Sequence, residues 1–345
     1  MAAGSRTRVY QYLPHLKKRG FKYNVVPLVC NSLFKTHGKW RQKTIFLMDR
    51  IYKNFQVIKF FFHCRFYDIV FIQKVIFLPI WFQKLVRLLN NHIIFDFDDA
   101  IYLNKRNRTK DTLIAAIELE PRFVHMVSIS KFVLLENQYT QEVVGKYNSN
   151  ICMITGPIDT DRYFPNPKKN SNELVIGWIG GQTTTMYVKP LEKALYSLSI
   201  KYPNIKVELI GASPLNLKGI KTEIKQWSLD SEVGYLQNFD IGIMYIPNNL
   251  WTQGKGGYKL LQYMAIGIPC VASPVGINKE LIIDGVNGFL CESLKDWEER
   301  ISILIEDSEL RSVMGKRGRE IAIKKYSVTA SLPRLVDCLE RVMIK

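Results

Sequence analysis

The chain predicts an α/β protein of two doubly wound, parallel-sheet domains facing each other across a cleft. Three observations carry that expectation. Its 345 residues exceed one ordinary core and suit two. Apolar strand-like runs alternate with helical periods in each half. A stretch rich in Pro, Asn and charge, Gly156 to Asn172, separates the halves and reads as a linker.

In the first half the strand candidates are Tyr23–Val29, Ile69–Gln73, Ile93–Phe97, His125–Ile129 and Ile151–Ile154. Helical patterns cover Thr7–Arg19, Pro79–Asn90 and Lys131–Tyr147. The second half begins again with a strand, Leu174–Ile179, followed by a helix from about Met186 to Lys201 and a strand Val207–Ile210. A strand Ile241–Tyr245, a helix Tyr258–Ile266 and a strand Cys270–Ala272 come next. Helices near Trp297–Glu306 and Leu310–Tyr326 and a last amphipathic helix, Thr329–Ile344, complete the order. The expected domains are therefore 1–155, a linker 156–173, 174–328, and a C-terminal helix 329–345 that packs back on the first domain.

Hydrophobic residues make up 47% and charged residues 23%, a globular composition. No apolar stretch is long enough to span a bilayer, and Met1–Arg6 lacks the apolar core of a signal peptide, so a cytoplasmic protein is expected. Cys30, Cys64, Cys152, Cys270, Cys291 and Cys338 form no CxxC pair or Cys/His cluster. That pattern suits core residues in a reducing compartment, with no metal and no disulfide framework expected. Residues 1–170 hold 27 Lys and Arg against 12 Asp and Glu, whereas the rest is nearly neutral. A basic body of this kind is either a solubility device or a surface for an anionic partner. No nucleic-acid recognition motif is present and basic and aromatic residues interleave little on one element, so nucleic acid is not expected, and a peripheral position on an anionic membrane is the better fit. Lys59–Phe62 and Phe77–Leu89, which carries Lys84 and Arg87, join bulky apolar side chains to basic ones in that half, a pattern that suits a surface resting on anionic lipid and equally an ordinary core helix.

Three segments can carry chemistry. In Trp251–Pro269, Gly254, Gly256 and Gly257 precede a helix, and Gly267 with Pro269 stops it. Glycines let a ligand approach the backbone, and free N–H groups at a helix start favour an anion. Lys255 and Lys259 add fixed positive charge, and a diphosphate fits; the same pattern also suits a capped helix with solvated lysines. In the second segment, the strand through Ile179 runs into Gly180, Gly181 and then Thr183 among other hydroxyls, a loop suited to phosphate or sugar hydroxyls and equally to a structural corner. The third, Asp96, Asp98 and Asp99, ends an apolar strand; a cation site, a helix cap and a place in the cleft are all compatible with it.

Taken together, Tyr258–Ala265, Gly267–Ser273, Val275-Gly276, Glu280–Ile282 and Asp284–Leu290 resemble, in order and spacing, the donor-binding half of family-4 glycosyltransferases. Phe239–Met244 resembles the strand before it, and Ser5–Leu13 with Asp96–Tyr102 is similar to one branch of that family. The resemblance implies the GT-B fold, two Rossmann-like domains, and transfer of a sugar from a nucleotide-diphosphate donor with retention of configuration and no cofactor. The acceptor implied is a glycan, a lipid-linked sugar or a surface polymer. It places the donor at Gly180, Gly181, Thr183, Gly254, Gly256, Gly257, Tyr258 and Gln262, with Lys255, Lys259, Asp98 and Asp99 as catalytic candidates and Ser5 and Arg6 on the acceptor side.

Two departures stand out. The glutamates that the family carries around the donor helix are Gly254 and Gln262 here, and only Met1–Gly4 precedes Ser5, where the family has its first strand. The first domain is thus expected to lack that strand. The lost glutamates leave two other readings open, a non-catalytic nucleotide-sugar-binding relative and a nucleotide-sugar epimerase.

Overall fold

The computed structural model describes residues 3–28, 39–75, 78–103, 119–166 and 172–344. The first half comprises helices α1 (Ala3–Arg8), α2 (Leu13–Lys18) and α3 (Lys39–His63), strand β1 (Val70–Gln73), α4 (Ile80–Leu89), β2 (Ile93–Asp96), α5 (Pro121–Ile129), β3 (Phe132–Leu135), α6 (Gln138–Val144) and β4 (Ile151–Met153). The second half runs β5 (Leu174–Ile179), α7 (Glu192–Lys201), β6 (Ile205–Ile210), β7 (Thr222–Lys225), α8 (Glu232–Leu236), β8 (Ile241–Met244), α9 (Leu250–Gln253) and α10 (Tyr258–Ala265). It ends with β9 (Cys270–Ala272), α11 (Asn278–Leu281), β10 (Gly288–Leu290), α12 (Leu294–Glu306), α13 (Ser308–Ile321) and α14 (Val328–Met343).

Two all-parallel sheets result, the first in the order β1-β2-β3-β4 and the second β10-β9-β8-β5-β6-β7. Strands covered by helices on both faces need apolar side chains throughout, and β2, β3, β5 and β8 are buried at every position. In the second sheet β5 lies beside both β6 and β8, so the chain reverses direction of winding there. Such a switch point leaves a crevice at the carboxyl ends of the strands. Among the described residues β1 pairs with β2 alone, and α1 precedes it with no strand.

The linker segment forms one parallel bridge, Ile158 with Ser327, that brings the chain's late helices back to it. Beyond Ser327, which caps α14, Leu332, Leu335, Val336, Leu339 and Val342 pack on Ile94, Phe132 and Leu134 of the first sheet.

Several local expectations are corrected. His125–Ile129 is not a strand but the end of α5, begun by Pro121 at its first position. Lys131–Tyr147 is not one helix: its apolar run Phe132–Leu135 is strand β3, and α6 starts only at the Asn137 cap. A continuous apolar run satisfies either period, and burial between two neighbouring strands decided it. Tyr23–Leu28 is irregular, and Val29, Cys30, Phe77 and the Pro167–Ser171 part of the linker lie outside the described residues. Five cysteines, all free, are described, and four of them are buried. No described helix is long and apolar enough to cross a membrane.

Candidate active site

The carboxyl end of β5 meets the start of α10. After Ile179 the chain turns through Gly180, whose N–H donates to Ile210 O at 3.0 Å, and Gly181. A Cβ on Gly180 would collide with the Trp178 ring and lie 2.7 Å from Lys259 Nζ, so only glycine leaves room for that ammonium. Gly181 faces open space, and Thr183 is exposed beside it. Gly257 begins α10 in the left-handed region, φ 65°, with no side chain to cap the first turn. Lys259, in that turn, sits 4.2 Å from the centre of the Trp178 ring and has no carboxylate within salt-bridge distance among the described residues. Burial, and then the repulsion of Lys255, push its pKa down to about 7. A half-buried ammonium beside helix N–H groups that no side chain caps has the chemistry to attract an anion.

The segment before α10 crosses to the first domain. Leu250 on α9 is buried in the core that holds Ala100, Tyr102 and Phe123. A Cβ on Gly254 would come within 2.8 Å of Ala100 Cβ and 3.1 Å of Tyr102 Oη. One on Gly256 would overlap the Glu136 carboxylate. Asn137 Nδ2 donates to Lys255 O at 2.9 Å while its Oδ1 accepts from Thr140 N at 2.8 Å to start α6. The glycines therefore let this loop dock closely against the turn after β3.

Charged groups line the gap. Lys255 Nζ is 3.5 Å from Asp99 Oδ1, and Lys74 Nζ is 2.5 Å from Asp98 Oδ1 and 3.5 Å from Asp99 Oδ2. Asp99 adopts φ 58° and Lys74 φ 59°, left-handed conformations uncommon for residues other than glycine. Deeper, Arg8 holds Asp96 through Nε at 2.8 Å and Glu136 through Nη1 at 2.7 Å, and donates to Ile154 O at 2.9 Å. Burial pushes the Glu136 carboxyl up to about 8 against the pull of Arg8. No group of three His, Cys, Asp or Glu among the described residues has the geometry to hold a metal.

Gln262 points elsewhere than open space. Its Nε2 donates to Glu232 Oε1 at 2.9 Å and to Tyr163 Oη at 3.3 Å, and all three are buried. Tyr163 Oη and Trp227 Nε1 also donate to Glu232. Arg6 reaches over from α1, with Nη2 3.5 Å from Glu232 Oε2 and its guanidinium 5.5 Å from the Trp227 ring centre. Burial, with the Glu232 carboxylate next to it, drives the Tyr163 hydroxyl up to about 12. Tyr258 lies in the same buried cluster, and Ser5 Oγ donates to Gln73 Oε1 at 2.8 Å.

The structure thus brings Asp99, Lys255, Lys259, Gly180, Gly256 and Gly257 to one gap, with Asp98 on the Lys74 side of it. Arg6 and Gln262 meet at Glu232 instead. Sequence reasoning missed Glu136, Arg8, Lys74, Tyr163, Trp227 and Glu232. Glu136 carried a signal, a carboxylate directly after the apolar run Phe132–Leu135, hidden by the helical reading of that run; Glu232, in a polar stretch, carried none.

Residues 159–321, just under half of the chain, match the profile of the family described as Glycosyl transferases group 1. An uncharacterized glycosyltransferase of Methanocaldococcus jannaschii is 40% identical over 73 residues, 21% of this chain and 20% of that protein. The N-acetyl-alpha-D-glucosaminyl L-malate synthase of Bacillus anthracis is 36% identical over 72 residues, 20% of this chain and 19% of that protein. The matched segment therefore spans about a fifth of the length of these curated relatives. Among solved structures, a glycosyltransferase from Rickettsia africae superposes with a TM-score of 0.72 at 13% identity, covering 99% of this chain and 96% of its own. HepE from Anabaena, solved with UDP and glucose, gives 0.64 at 15% identity over 83% of this chain and 81% of its own. The chain has the GT-B fold, and its second half resembles the group 1 glycosyltransferases in sequence.

Proposed function

We propose that this protein is a retaining, family-4 type glycosyltransferase that moves a sugar from a nucleotide-diphosphate donor to a glycan, lipid-linked or surface-polymer acceptor. In this reading residues 1–155 form the acceptor side and 174–328 the donor side, joined by 156–173. The enzyme works as a peripheral protein at the cytoplasmic face of a membrane, which the charge of its first half suits.

The observation that supports it best is Lys259: an ammonium, half-buried on Trp178, with no carboxylate within salt-bridge distance among the described residues, at the start of α10, which has no side-chain cap. A diphosphate seated there takes the N–H groups of the first turn and the charge of Lys259, beside the open Gly180-Gly181 loop. As the bond to the sugar breaks, negative charge grows on the leaving diphosphate, and fixed donors stabilise that state more than the bound donor. Lys255, held at Asp99, adds charge at the mouth of the gap. The acceptor hydroxyl gives its proton to the departing phosphate, a route that needs no protein nucleophile. Asp98, Asp99, Ser5 and Arg6 are assigned to the acceptor-facing wall. HepE's complex with UDP and glucose and the pneumococcal GtfA complex with UDP and GlcNAc support a nucleotide-sugar donor for proteins of this fold. Lys259→Ala lowers transfer, or donor hydrolysis, by about 100-fold if one preorganised cation is lost; unchanged turnover removes this assignment.

A nucleotide-sugar-binding protein without transfer is the second reading. The engagement of the Gln262 amide with buried Glu232, in place of a free carboxylate on α10, favours it. Raised thermal stability with a nucleotide sugar, but neither transfer nor hydrolysis over a range of acceptors, would select it.

A further inference from the structure

We propose that α3 and α4 together form a docking face for a bilayer rich in anionic lipid. This deepens the peripheral location given above by naming the surface and its ligand, and it holds or fails without any donor chemistry.

On α3, Met48, Ile51, Phe55, Ile58 and Phe62 are each more than half exposed. Their spacing of three and four places them on one side of the helix. On α4, Trp81 and Leu88 are 63% and 81% exposed, with Leu85 between them on the same side. A run of rings joins the two stripes: Phe62 to Phe61, Phe61 to Phe82 and Phe82 to Trp81, with centroids 5.7, 5.3 and 5.7 Å apart. Phe61 and Phe82 anchor that run to the first domain's core, so the exposed rings are held by packed ones. Counting Phe66 just beyond α3, nine large apolar side chains are exposed along α3, α4 and the turn after α3, a concentration that marks an interaction surface.

Charge decides which partner. Residues 39–66 hold seven Lys and Arg against Asp49 alone, and residues 79–91 hold Lys84 and Arg87 with no acid. Lys59, beside Ile58, and Lys84, beside Leu85, border the apolar stripes and are exposed. The heptad-like spacing on α3 would also suit pairing with a second copy of the chain. Two copies face to face, however, bring like charges together, whereas apolar side chains between basic ones match the acyl boundary and phosphates of an anionic leaflet. The side chains would insert at the headgroup level without spanning, in keeping with the absence of a bilayer-length apolar helix among the described residues.

The test is flotation of the full chain with vesicles of phosphatidylcholine alone and of phosphatidylcholine with phosphatidylglycerol, at low and high salt. Binding is expected only with phosphatidylglycerol and falling with salt. Phe55→Glu/Phe62→Glu, both exposed, should lower the bound fraction at least roughly tenfold with an unchanged melting temperature, and Lys59→Glu/Lys84→Glu should do the same. Absence of phosphatidylglycerol-dependent flotation overturns the proposal, as does binding that both double variants leave intact. A dimer mass by light scattering that Phe55→Glu/Phe62→Glu abolishes, without vesicle binding, assigns the face to a second copy instead.

Discussion

If the proposed diphosphate seat is at Lys259, the affinity for a nucleoside diphosphate depends on pH in a direction that the surroundings of Lys259 fix. In the empty protein, burial and Lys255 hold its pKa near 7, far below the 10.5 of a free lysine. A bound diphosphate supplies the missing anion and returns the ammonium to its ordinary range or above. Binding above pH 7 therefore takes up one proton. Below pH 7 the lysine is already charged and adds no slope beyond the nucleotide's own titration. From pH 7 upward the dissociation constant rises about tenfold per unit, about 1.4 kcal/mol each, until the bound form also loses its proton. From pH 7 to 9 the loss is roughly hundredfold. Isothermal titration with UDP, repeated in buffers of different ionisation enthalpy, counts the proton directly, and Lys259→Met supplies the reference slope for the nucleotide's own titration. The same shift predicts a stability trend with a definite sign. The depressed pKa means that the unfolded chain holds the proton more tightly, so the nucleotide-free protein gains stability relative to Lys259→Met as pH rises from 7 towards 10.5. Equal pH slopes for wild type and Lys259→Met, with no proton uptake near pH 8, would refute the reasoning and with it the diphosphate seat.

Two further outcomes test the gap itself. Gly256→Ala puts a methyl into the Glu136 carboxylate, which Arg8 holds at 2.7 Å, so the docked loop must retreat; a stability loss of about 1–3 kcal/mol by denaturant unfolding and a raised KM for the donor are expected, and wild-type behaviour would show the contact to be slack. Glu136, with its folded pKa raised to about 8, keeps a proton in the native state that the unfolded chain loses above about 4.5, so stability falls as pH rises from about 4.5 to 8. Glu136→Gln, which mimics the neutral acid, should match wild type within about 1 kcal/mol near pH 5 and flatten that slope; an undiminished slope in urea melts would place the proton elsewhere.

What was legible beforehand follows from where the signal resides. In the second half β5, β8 and β9 read cleanly because they are short, apolar and buried throughout, whereas the half-exposed β7, with the sequence TEIK, the three-residue β10 and the short helices α8, α9 and α11 were not anticipated. The Gly180-Gly181 and Gly254–Gly257 loops were visible because a close approach of backbone demands glycine, and glycine shows in one dimension. The first half reads poorly wherever an apolar run is long enough for two periods. His125–Ile129 and Phe132–Leu135 exchanged identities, since only lateral pairing with β2 and β4 distinguishes a buried strand from a buried helix.

The roles of the charged residues were hidden for a different reason. Asp98, Asp99, Lys255 and Lys259 were each singled out, but which of them is spent on an ion pair depends on groups far away in the chain. Lys255 is 156 residues from Asp99 and is held by it; Lys259, four residues on, turns onto Trp178 and has no carboxylate within salt-bridge distance among the described residues. Likewise Gln262, one of the expected donor contacts, is claimed by Glu232 and Tyr163, and Arg6 crosses the gap to the same carboxylate. Burial makes these choices sharp, because a group removed from water must find a partner inside or shift its protonation. A sequence can thus nominate the cations of such a site, whereas the one that remains available to a ligand emerges only when every competing carboxylate has been placed. Among the described residues that criterion singles out Lys259, not Lys255, for the proposed diphosphate seat.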